Sequence, residues 1–272
     1  MNKIGIIAGG GQLPLLVGKN LIKNNFDITF FVLKEFFIKN KYHNFQTEQI
    51  ELNSLKLIVK VLKKHKINKI IMLGSVNRPS FMDIKFDFDT INFIKKYLLE
   101  KKGDNQLLLA IQDYFFKKGF SYFNWTEYCN ELFANKANLT KKKPTNKASL
   151  NIAKGIKVFN YLGKADIGQS IIIQNEIILG LEAAEGTDEL IKRCYKYKKK
   201  GDAGVLIKLS KYNQSHLLDI PTIGFKTIKL LKQYNYEGVY LELNKCLILN
   251  KDKVIQYADA NNLFISTINK ID

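Results

Sequence analysis

The sequence predicts an α/β protein of two domains, and three observations support this fold class. Short apolar runs alternate with amphipathic segments through the first 134 residues, an order typical of strands and helices that form a parallel sheet. A polar segment, NKANLTKKKPTN, then interrupts the pattern. Strands and helices resume beyond it in mixed order, and 272 residues are enough for two hydrophobic cores.

The first domain is predicted to span residues 1–134. Apolar runs predict strands at residues 4–8, 28–33, 69–73 and 120–123, with a further apolar–polar stretch at 49–52. Amphipathic segments predict helices up to about residue 23, at 55–64, 90–101 and 105–118, and a short one towards 134. Open parallel sheets bind ligands at the carboxyl ends of their strands, so the loops after residues 8 and 73 are expected to carry the ligand.

Residues 135–147 are predicted to be a linker, because they are rich in Lys, Asn and Thr and offer little to a core. The second domain is predicted to span residues 148–272. Its helices are predicted at 149–162, 188–200, 226–234 and 252–261, and its strands at 170–174, 177–181, 205–209, 239–243, 247–249 and 263–266. This mixed order is typical of an α+β or mixed α/β domain.

The chain is strongly basic, with 43 Lys plus Arg against 25 Asp plus Glu and a net charge of +18. Such a charge is compatible with nucleic acid, an anionic membrane face or an anionic small substrate. Only Arg78 and Arg193 are arginines, and the abundance of Lys, Asn and Ile favours a general drift in residue usage as the main cause. The two arginines are therefore candidates for positions that need a planar guanidinium. The lysines lack organised aromatic neighbours, so we predict no nucleic-acid binding.

The sequence predicts a cytoplasmic protein with reduced thiols. The opening MNKIGIIAGGG is too short and glycine-rich for a signal peptide, and no apolar run approaches the roughly eighteen residues that span a bilayer. The cysteines, Cys129, Cys194 and Cys246, are far apart and form no CxxC pair, so we predict neither disulfides nor a zinc site.

An acidic stretch within residues 177–193 reverses the sign of the charge locally. An apolar strand is followed there by Glu182, Glu185, Gly186 and Asp188, and then by a patterned helix. Helix starts attract phosphate, and carboxylates hold the divalent cations that bridge to phosphate oxygens. The alternative is that these acids only complement the helix dipole.

A second stretch, residues 208–224, adds a candidate catalytic acid. Asp219 is flanked by apolar residues and followed by Ile220-Pro221, so its carboxylate is expected to be held in place. An acid of this kind, after Lys208 and His216, is able to bind a metal or to activate water. Capping of the helix predicted from residue 226 is excluded by the distance along the chain. Gln169, before the first strand of this domain, is expected either in the same cleft or as a turn cap.

Two loops of the first domain are candidates for ligand binding. Three glycines precede Gln12 and are expected to leave backbone N–H groups uncovered for a phosphate or sugar; the alternative is a tight strand-to-helix turn. A nicotinamide turn is disfavoured because Pro14 stands where the third glycine is needed. In SVNRPS, Pro79 restricts Arg78, whose guanidinium suits a phosphate or base edge; the alternative is an ion pair with a nearby aspartate or the partner domain.

A series of short motifs together resembles the LpxI-type UDP-2,3-diacylglucosamine diphosphatases of lipid A biosynthesis. The motifs are IAGGGQLP, SVNRPS, KKGDNQLL, KADIGQS, EAAEGTD, GVLIKLSK and DIPTIG, in the family's order and over nearly the whole chain. The resemblance implies a Rossmann-like N-terminal half, a distinct C-terminal half and a homodimer with exchanged C-terminal domains. It also implies hydrolysis of a UDP-linked acylated glucosamine lipid to UMP and 2,3-diacylglucosamine 1-phosphate (lipid X), with Mg²⁺ (or Mn²⁺) as cofactor. An acylated substrate further implies peripheral contact with the inner membrane.

The resemblance also assigns site residues. Asp219 falls on the aspartate of the D-x-P-x-I-G motif that is essential for turnover, and we pair it with Lys208 as catalytic. Asp219, Glu185 and Asp188 are the expected metal ligands. Substrate binding is expected from Gly9, Gly10, Gly11, Gln12, Ser75, Asn77, Arg78, Asp104, Gln169, Gly186 and Thr187. One departure is that Ser215 and Leu217 stand where family members commonly have an acid and an Arg.

Two other functions are compatible with the same residues. A non-catalytic protein that binds a sugar nucleotide or an acidic lipid is the main alternative, because the altered loop 214–219 contains the expected catalytic acid. A nicotinamide-dependent oxidoreductase is the other alternative and depends on GGGQLP alone.

Overall fold

The computed structural model describes residues 3–52, 54–76, 104–162, 168–210 and 220–269, with the backbone alone for 104–108 and 162. The chain divides into two compact units, residues 1–129 and 130–272. Each unit contains a five-stranded sheet with helices, so the predicted α/β class is confirmed.

The first unit is built on a parallel sheet. Its strands are β1 (Lys3–Ala8), β2 (Asp27–Leu33), β3 (Gln46–Ile50), β4 (Lys69–Leu73) and β5 (Ser121–Tyr122). Their order is β3-β2-β1-β4-β5, and every neighbouring pair is parallel. The direction of winding reverses between β1 and β4, so the loops after these two strands lie at the switch point where such sheets bind ligands.

Helices cover this sheet and bury apolar stripes against it. The described helices are α1 (Leu13–Lys23), α2 (Lys39–Tyr42), α3 (Leu55–Lys64) and α4 (Asp104–Lys117). Helix α3 begins at an N-cap, since the Ser54 hydroxyl accepts the N–H of Leu57 at 3.1 Å. Its buried residues, Leu55, Ile58, Val59 and Leu62, have the spacing of one helical face. Packing of α1 on β2 needs Gly18, because a Cβ there would lie 2.3 Å from the Phe30 ring.

The second unit has a mixed sheet. Its strands are β6 (Ser170–Gln174), β7 (Ile177–Leu181), β8 (Val205–Lys208), β10 (Gly238–Glu242) and β12 (Phe264–Ile268), in the order β12-β10-β8-β6-β7. Strands β8, β10 and β12 are parallel, whereas β6 is antiparallel to both β8 and β7. The ends of β7, β8, β10 and β12 therefore share one edge with the start of β6. We call this edge the site edge.

Helices lie on both faces of the second sheet. They are α5 (Asn146–Leu162), α6 (Thr187–Tyr195), α7 (Phe225–Gln233) and α8 (Lys251–Ala260). Two short parallel strands, β9 (Thr222–Ile223) and β11 (Leu247–Ile248), form a separate two-stranded sheet. Because side chains alternate along a strand, Ile171 packs with α5 residues in one core cluster while Ile172 packs with α6, α7 and α8 residues in another. Gly155 permits the approach of α5, since a Cβ there would lie 2.3 Å from Ile207.

Residues 135–147, predicted as a linker, are hydrogen-bonded to the second unit. Leu139 donates its N–H to Ile265 at 2.9 Å, and the Thr140 hydroxyl accepts the N–H of Ile265 at 2.8 Å. The backbone and hydroxyl of Thr145 both donate to the carboxylate of Glu237 at 3.0 Å. The segment belongs to the second unit, whose division from the first falls between Cys129 and Asn130.

Some local predictions need correction. The segment predicted as a short helix towards residue 134 forms two 3₁₀ turns, Thr126–Tyr128 and Asn130–Leu132. The helix predicted to residue 200 ends at Tyr195, where Tyr197 and Lys198 donate their N–H groups to carbonyls three residues back, at 3.0 and 3.2 Å, in tighter turns. The helix predicted at 90–101 lies outside the described residues.

Two other expectations can be compared with the structure. All three cysteines are buried free thiols, as predicted. Within the described ranges, no helix combines the length and the apolar composition that crossing a bilayer requires.

Candidate active site

A buried lysine occupies the centre of the site edge in the second unit. Lys208 ends β8, and its side chain is 5% exposed. Its ammonium donates to the Ser170 hydroxyl at 3.1 Å and to the Thr187 hydroxyl at 2.7 Å. The fold brings these residues together because Ser170 is the register partner of Lys208 in β6, and Thr187 is the first residue of α6.

Glu182 provides the charge partner of this lysine. It follows β7, and its Oε1 accepts the Thr187 hydroxyl proton at 2.8 Å. Its Oε2 accepts the N–H of Gln169 at 3.2 Å and lies 3.6 Å from Lys208 Nζ. A buried ammonium is tolerated where an opposite charge and hydrogen-bond acceptors surround it, as they do here. We call Ser170, Glu182, Thr187 and Lys208 the Lys208 cluster.

The loop between β7 and α6 is held by Arg193. Glu185 Oε1 accepts hydrogen bonds from Nε of Arg193 at 2.9 Å and from a terminal guanidinium nitrogen at 2.7 Å. The same guanidinium donates to the carbonyl of Leu181 at 2.6 Å. The hydrogen bonds from Arg193 lower the pKa of Glu185. Gly186, with φ of +79°, forms the N-cap of α6. The planar guanidinium of Arg193 thus binds groups of this chain, Glu185 and Leu181.

Asp188 also faces a protein cation. Its Oδ1 accepts the Thr227 hydroxyl proton at 2.9 Å, and its Oδ2 lies 3.0 Å from Lys226 Nζ. These contacts join α6 to α7. Asp188 and Glu185 are two of the three residues predicted to bind Mg²⁺ (or Mn²⁺), and the third, Asp219, lies outside the described residues. Among the described residues no group of three or more His, Cys, Asp or Glu side chains could hold a metal ion.

A second buried acid lies at the same edge. Glu242 ends β10 with its side chain 2% exposed, and its Oε2 accepts the N–H of Ser210 at 2.7 Å and the Ser210 hydroxyl at 2.5 Å. Lys245 Nζ lies 2.7 Å from Oε1 as an ion pair. Burial raises the pKa of Glu242, but Lys245 and Ser210 together outweigh that effect, and the pKa lies below its ordinary value.

The glycine loop of the first unit is paired with the loop after β4. The N–H of Gly9 donates to Leu73 at 2.8 Å, and Gly10 and Ser75 exchange N–H bonds at 2.7 and 3.0 Å. The expectation of uncovered N–H groups is therefore wrong for Gly9 and Gly10. Gly11 has φ of +93°, and no described atom lies within 4 Å of where its Cβ would be. Gln12 is the N-cap of α1.

The structure brings together some of the predicted site residues. Gln169, Thr187 and Lys208 meet around Glu182, and Gly186 adjoins them. In the first unit, Gly9, Gly10 and Ser75 are in contact. Asn77, Arg78 and Asp219 lie outside the described residues, and Asp104 is described by its backbone at the start of α4.

The prediction of site residues missed several members of the site edge: Ser170, Glu182, Ser210 and Glu242. Glu182 lies within the acidic stretch that the sequence singles out, so a signal for it existed. Ser170 ends the motif KADIGQS and Ser210 lies in the motif GVLIKLSK, but only the direction of β6 brings Ser170 to this edge, and only the place of β10 in the sheet brings Glu242 there.

Comparison with known proteins agrees with the two units. The family model described as LpxI N-terminal domain matches residues 3–132, and that described as LpxI C-terminal domain matches residues 135–266. The chain is similar to a protein of Caulobacter vibrioides named UDP-2,3-diacylglucosamine pyrophosphatase LpxI, with 27% identity over 272 residues and 97% of each chain covered. The resemblance seen in the motifs is confirmed, and the chain belongs to the LpxI family.

Proposed function

We propose that this chain hydrolyses the pyrophosphate bond of UDP-2,3-diacylglucosamine, releasing UMP and 2,3-diacylglucosamine 1-phosphate (lipid X) in lipid A biosynthesis. Family membership and the activity named for the Caulobacter relative support this reaction. The structural observation that carries the proposal is the Lys208 cluster, a buried ammonium with fixed hydroxyl partners at an edge where strands end and loops begin.

The chemistry of the reaction suits this arrangement. Attack of water on a pyrophosphate phosphorus builds negative charge on the surrounding oxygens. An ammonium that is already oriented in a water-poor site stabilises such charge more than a mobile surface lysine does. Lys208 has this setting, and the N-terminus of α6 at Thr187 adds its partial positive charge nearby. We therefore assign to Lys208 the stabilisation of charge on a phosphate oxygen.

Asp219 is proposed as the essential acid because of the motif that it shares with the family. A Mg²⁺ (or Mn²⁺) ion is the expected cofactor for the same reason. In the described arrangement Glu185 and Asp188 form ion pairs with Arg193 and Lys226, and their role as metal ligands beside Asp219 stays a prediction. No step of the proposal passes through them.

The decisive assay is release of UMP from UDP-2,3-diacylglucosamine by the purified full chain. Lys208→Met is expected to reduce kcat on the order of 100-fold, the loss typical of removing one charge-stabilising donor. Lys192→Met is the matched control, because Lys192 is an exposed lysine paired with Glu189 on the surface of α6. Asp219→Ala and chelation with EDTA are expected to abolish turnover while the melting temperature shows an intact fold.

The assay also separates the alternatives. Tight binding of UDP-2,3-diacylglucosamine without UMP release over long incubation would favour the non-catalytic binder. A shift of the melting temperature by NAD or NADP would favour the oxidoreductase.

We also propose a cytoplasmic homodimer with exchanged C-terminal domains that contacts the inner membrane peripherally, as the family resemblance implies. Light scattering coupled to gel filtration is expected to give twice the chain mass of 31.3 kDa. Sedimentation with vesicles that contain anionic lipid is expected to carry the protein down at low salt and to release it at high salt. A monomer, or protein that stays in the supernatant at low salt, would contradict the corresponding part.

A further inference from the structure

The direction of the hydrogen bonds in the Lys208 cluster follows from proton counting. The Thr187 hydroxyl has one proton, and the carboxylate of Glu182 has none to donate, so the Thr187 proton lies on the 2.8 Å bond to Oε1. Thr187 then offers only lone pairs to Lys208 at 2.7 Å and to Ser170 at 3.1 Å. Ser170 must be the donor in its bond with Thr187.

The same reasoning gives the direction of the hydrogen bonds of Lys208. Because Ser170 donates its one hydroxyl proton to Thr187, its oxygen acts as the acceptor in the 3.1 Å bond from Lys208. Two of the three ammonium protons are therefore directed at hydroxyl oxygens. Glu182 Oε2 lies 3.6 Å from Nζ, beyond hydrogen-bond distance. Within the described part of the site, the third N–H is the one that can be offered to a substrate oxygen.

We propose that Glu182 is a positioning residue that directs the third N–H of Lys208 towards the substrate phosphate, acting through Thr187. This inference rests on the proposed pyrophosphate hydrolysis. Glu182 accepts the hydrogen bond from the Thr187 hydroxyl. The lone pairs of the Thr187 oxygen therefore stay available to accept from the ammonium. The side chain is itself only 12% exposed, so water does not readily replace it.

A carboxylate is required at this position. One oxygen of Glu182 faces the O–H of Thr187 and the other faces the N–H of Gln169, so both must accept. A glutamine has one acceptor oxygen and an NH₂ group, and would place that NH₂ against one of the two donors. The direction of the Thr187 hydroxyl, and with it the orientation of the ammonium, then changes.

The test is a double-mutant cycle on the full-length protein, with UMP release from UDP-2,3-diacylglucosamine as the readout. Glu182→Gln is expected to lower kcat roughly 10- to 100-fold, the range seen when partners that orient functional groups are removed, with KM little changed. In the Lys208→Met background the same substitution should change kcat less than about twofold, because the group through which it acts is gone. Glu182→Asp keeps two acceptor oxygens and should restore part of the activity.

Glu189→Gln is the matched control, since Glu189 is an exposed acid of α6 paired with Lys192, and its kcat should equal that of the wild type. Equal losses from Glu182→Gln in both backgrounds would overturn the positioning role, as would wild-type kcat in Glu182→Gln. Failure of the wild-type chain to release any UMP would instead overturn the proposed function. If Glu182→Gln does not fold, Glu182→Asp and Lys208→Met complete the same cycle.

Discussion

The hydroxyl of Thr187 lies 2.7 Å from the ammonium of Lys208, although the two residues are 21 positions apart and belong to a helix start and a strand end. The contact exists because β7 and β8 both end at the site edge and α6 begins there. It joins the acidic loop to the central strand of the second unit. The chemistry that we propose for Lys208 depends on this contact.

Thr187→Val tests that contact, because valine keeps the shape of threonine and removes the hydroxyl. Lys208 would lose an acceptor and Glu182 a donor. We expect a loss of roughly 1–3 kcal/mol in the free energy of unfolding, the cost of leaving buried polar groups without a partner, and a clear fall in kcat. Urea unfolding and UMP release measure the two effects. Thr187→Ser should retain most of both, and wild-type behaviour of the valine variant would contradict the proposed site.

Glu242→Gln tests the buried acid beside Ser210. The pKa of Glu242 is lowered in the folded chain, so its contribution to stability is fully present above the ordinary glutamate pKa and is lost as pH falls through the folded pKa. We expect the variant to be less stable than the wild type by roughly 1–3 kcal/mol at pH 7, with the difference shrinking below about pH 4. Thermal unfolding at several pH values measures this. A difference independent of pH would show that the charge of Glu242 does not contribute.

The thiols are expected to be unreactive in the folded chain. Burial raises the pKa of Cys194 to about 11 and that of Cys246 to about 12, and Cys129 is buried as well. Alkylation needs an accessible thiolate. Intact-mass measurement after iodoacetamide treatment should show no added group at pH 7.5 in buffer and three in denaturant. Rapid labelling of the native protein would contradict the buried state of at least one thiol.

Arg193→Lys tests the hydrogen bonds by which Arg193 holds the loop before α6. Lysine cannot reproduce the hydrogen bonds from two guanidinium nitrogens to Glu185 together with the one to Leu181. Because the pair is partly exposed, we expect a loss of about 1 kcal/mol in stability, seen as a lower melting temperature. Lys192→Arg, at the neighbouring exposed position, should leave the melting temperature unchanged. An unchanged melting temperature in Arg193→Lys would mean that these hydrogen bonds do not contribute to stability.

Periodicity and turn residues predicted most of the regular structure. The helix at 55–64 and the strand at 170–174 have the predicted bounds, because an apolar stripe and flanking polar turns are local signals. The segment 135–147 shows where composition misleads. Its polar residues are typical of a solvated linker, yet Thr145 bonds to Glu237 and Thr140 to Ile265. Composition does not distinguish a solvated polar group from a bonded one.

The candidate site could be predicted only in part. Lys208, Thr187 and Ser170 all belong to motifs visible in the sequence, but no motif shows that the three side chains meet. Ser170 reaches the site edge because β6 runs antiparallel between β7 and β8, and the direction of a strand in a sheet is set by tertiary contacts. The same limit applies to Glu242, whose place beside Ser210 depends on β10 lying next to β8.

The close packing of Gly9 on Ser75 has a mechanical consequence for the first unit. A single methyl group at Gly9 would come within 2.3 Å of the Ser75 carbonyl oxygen, so there is no slack between the two loops. The described backbones of Gly9, Gly10 and Ser75 are therefore expected to move together. A molecule that binds against these residues meets a surface that is already ordered, so little chain entropy is lost on binding.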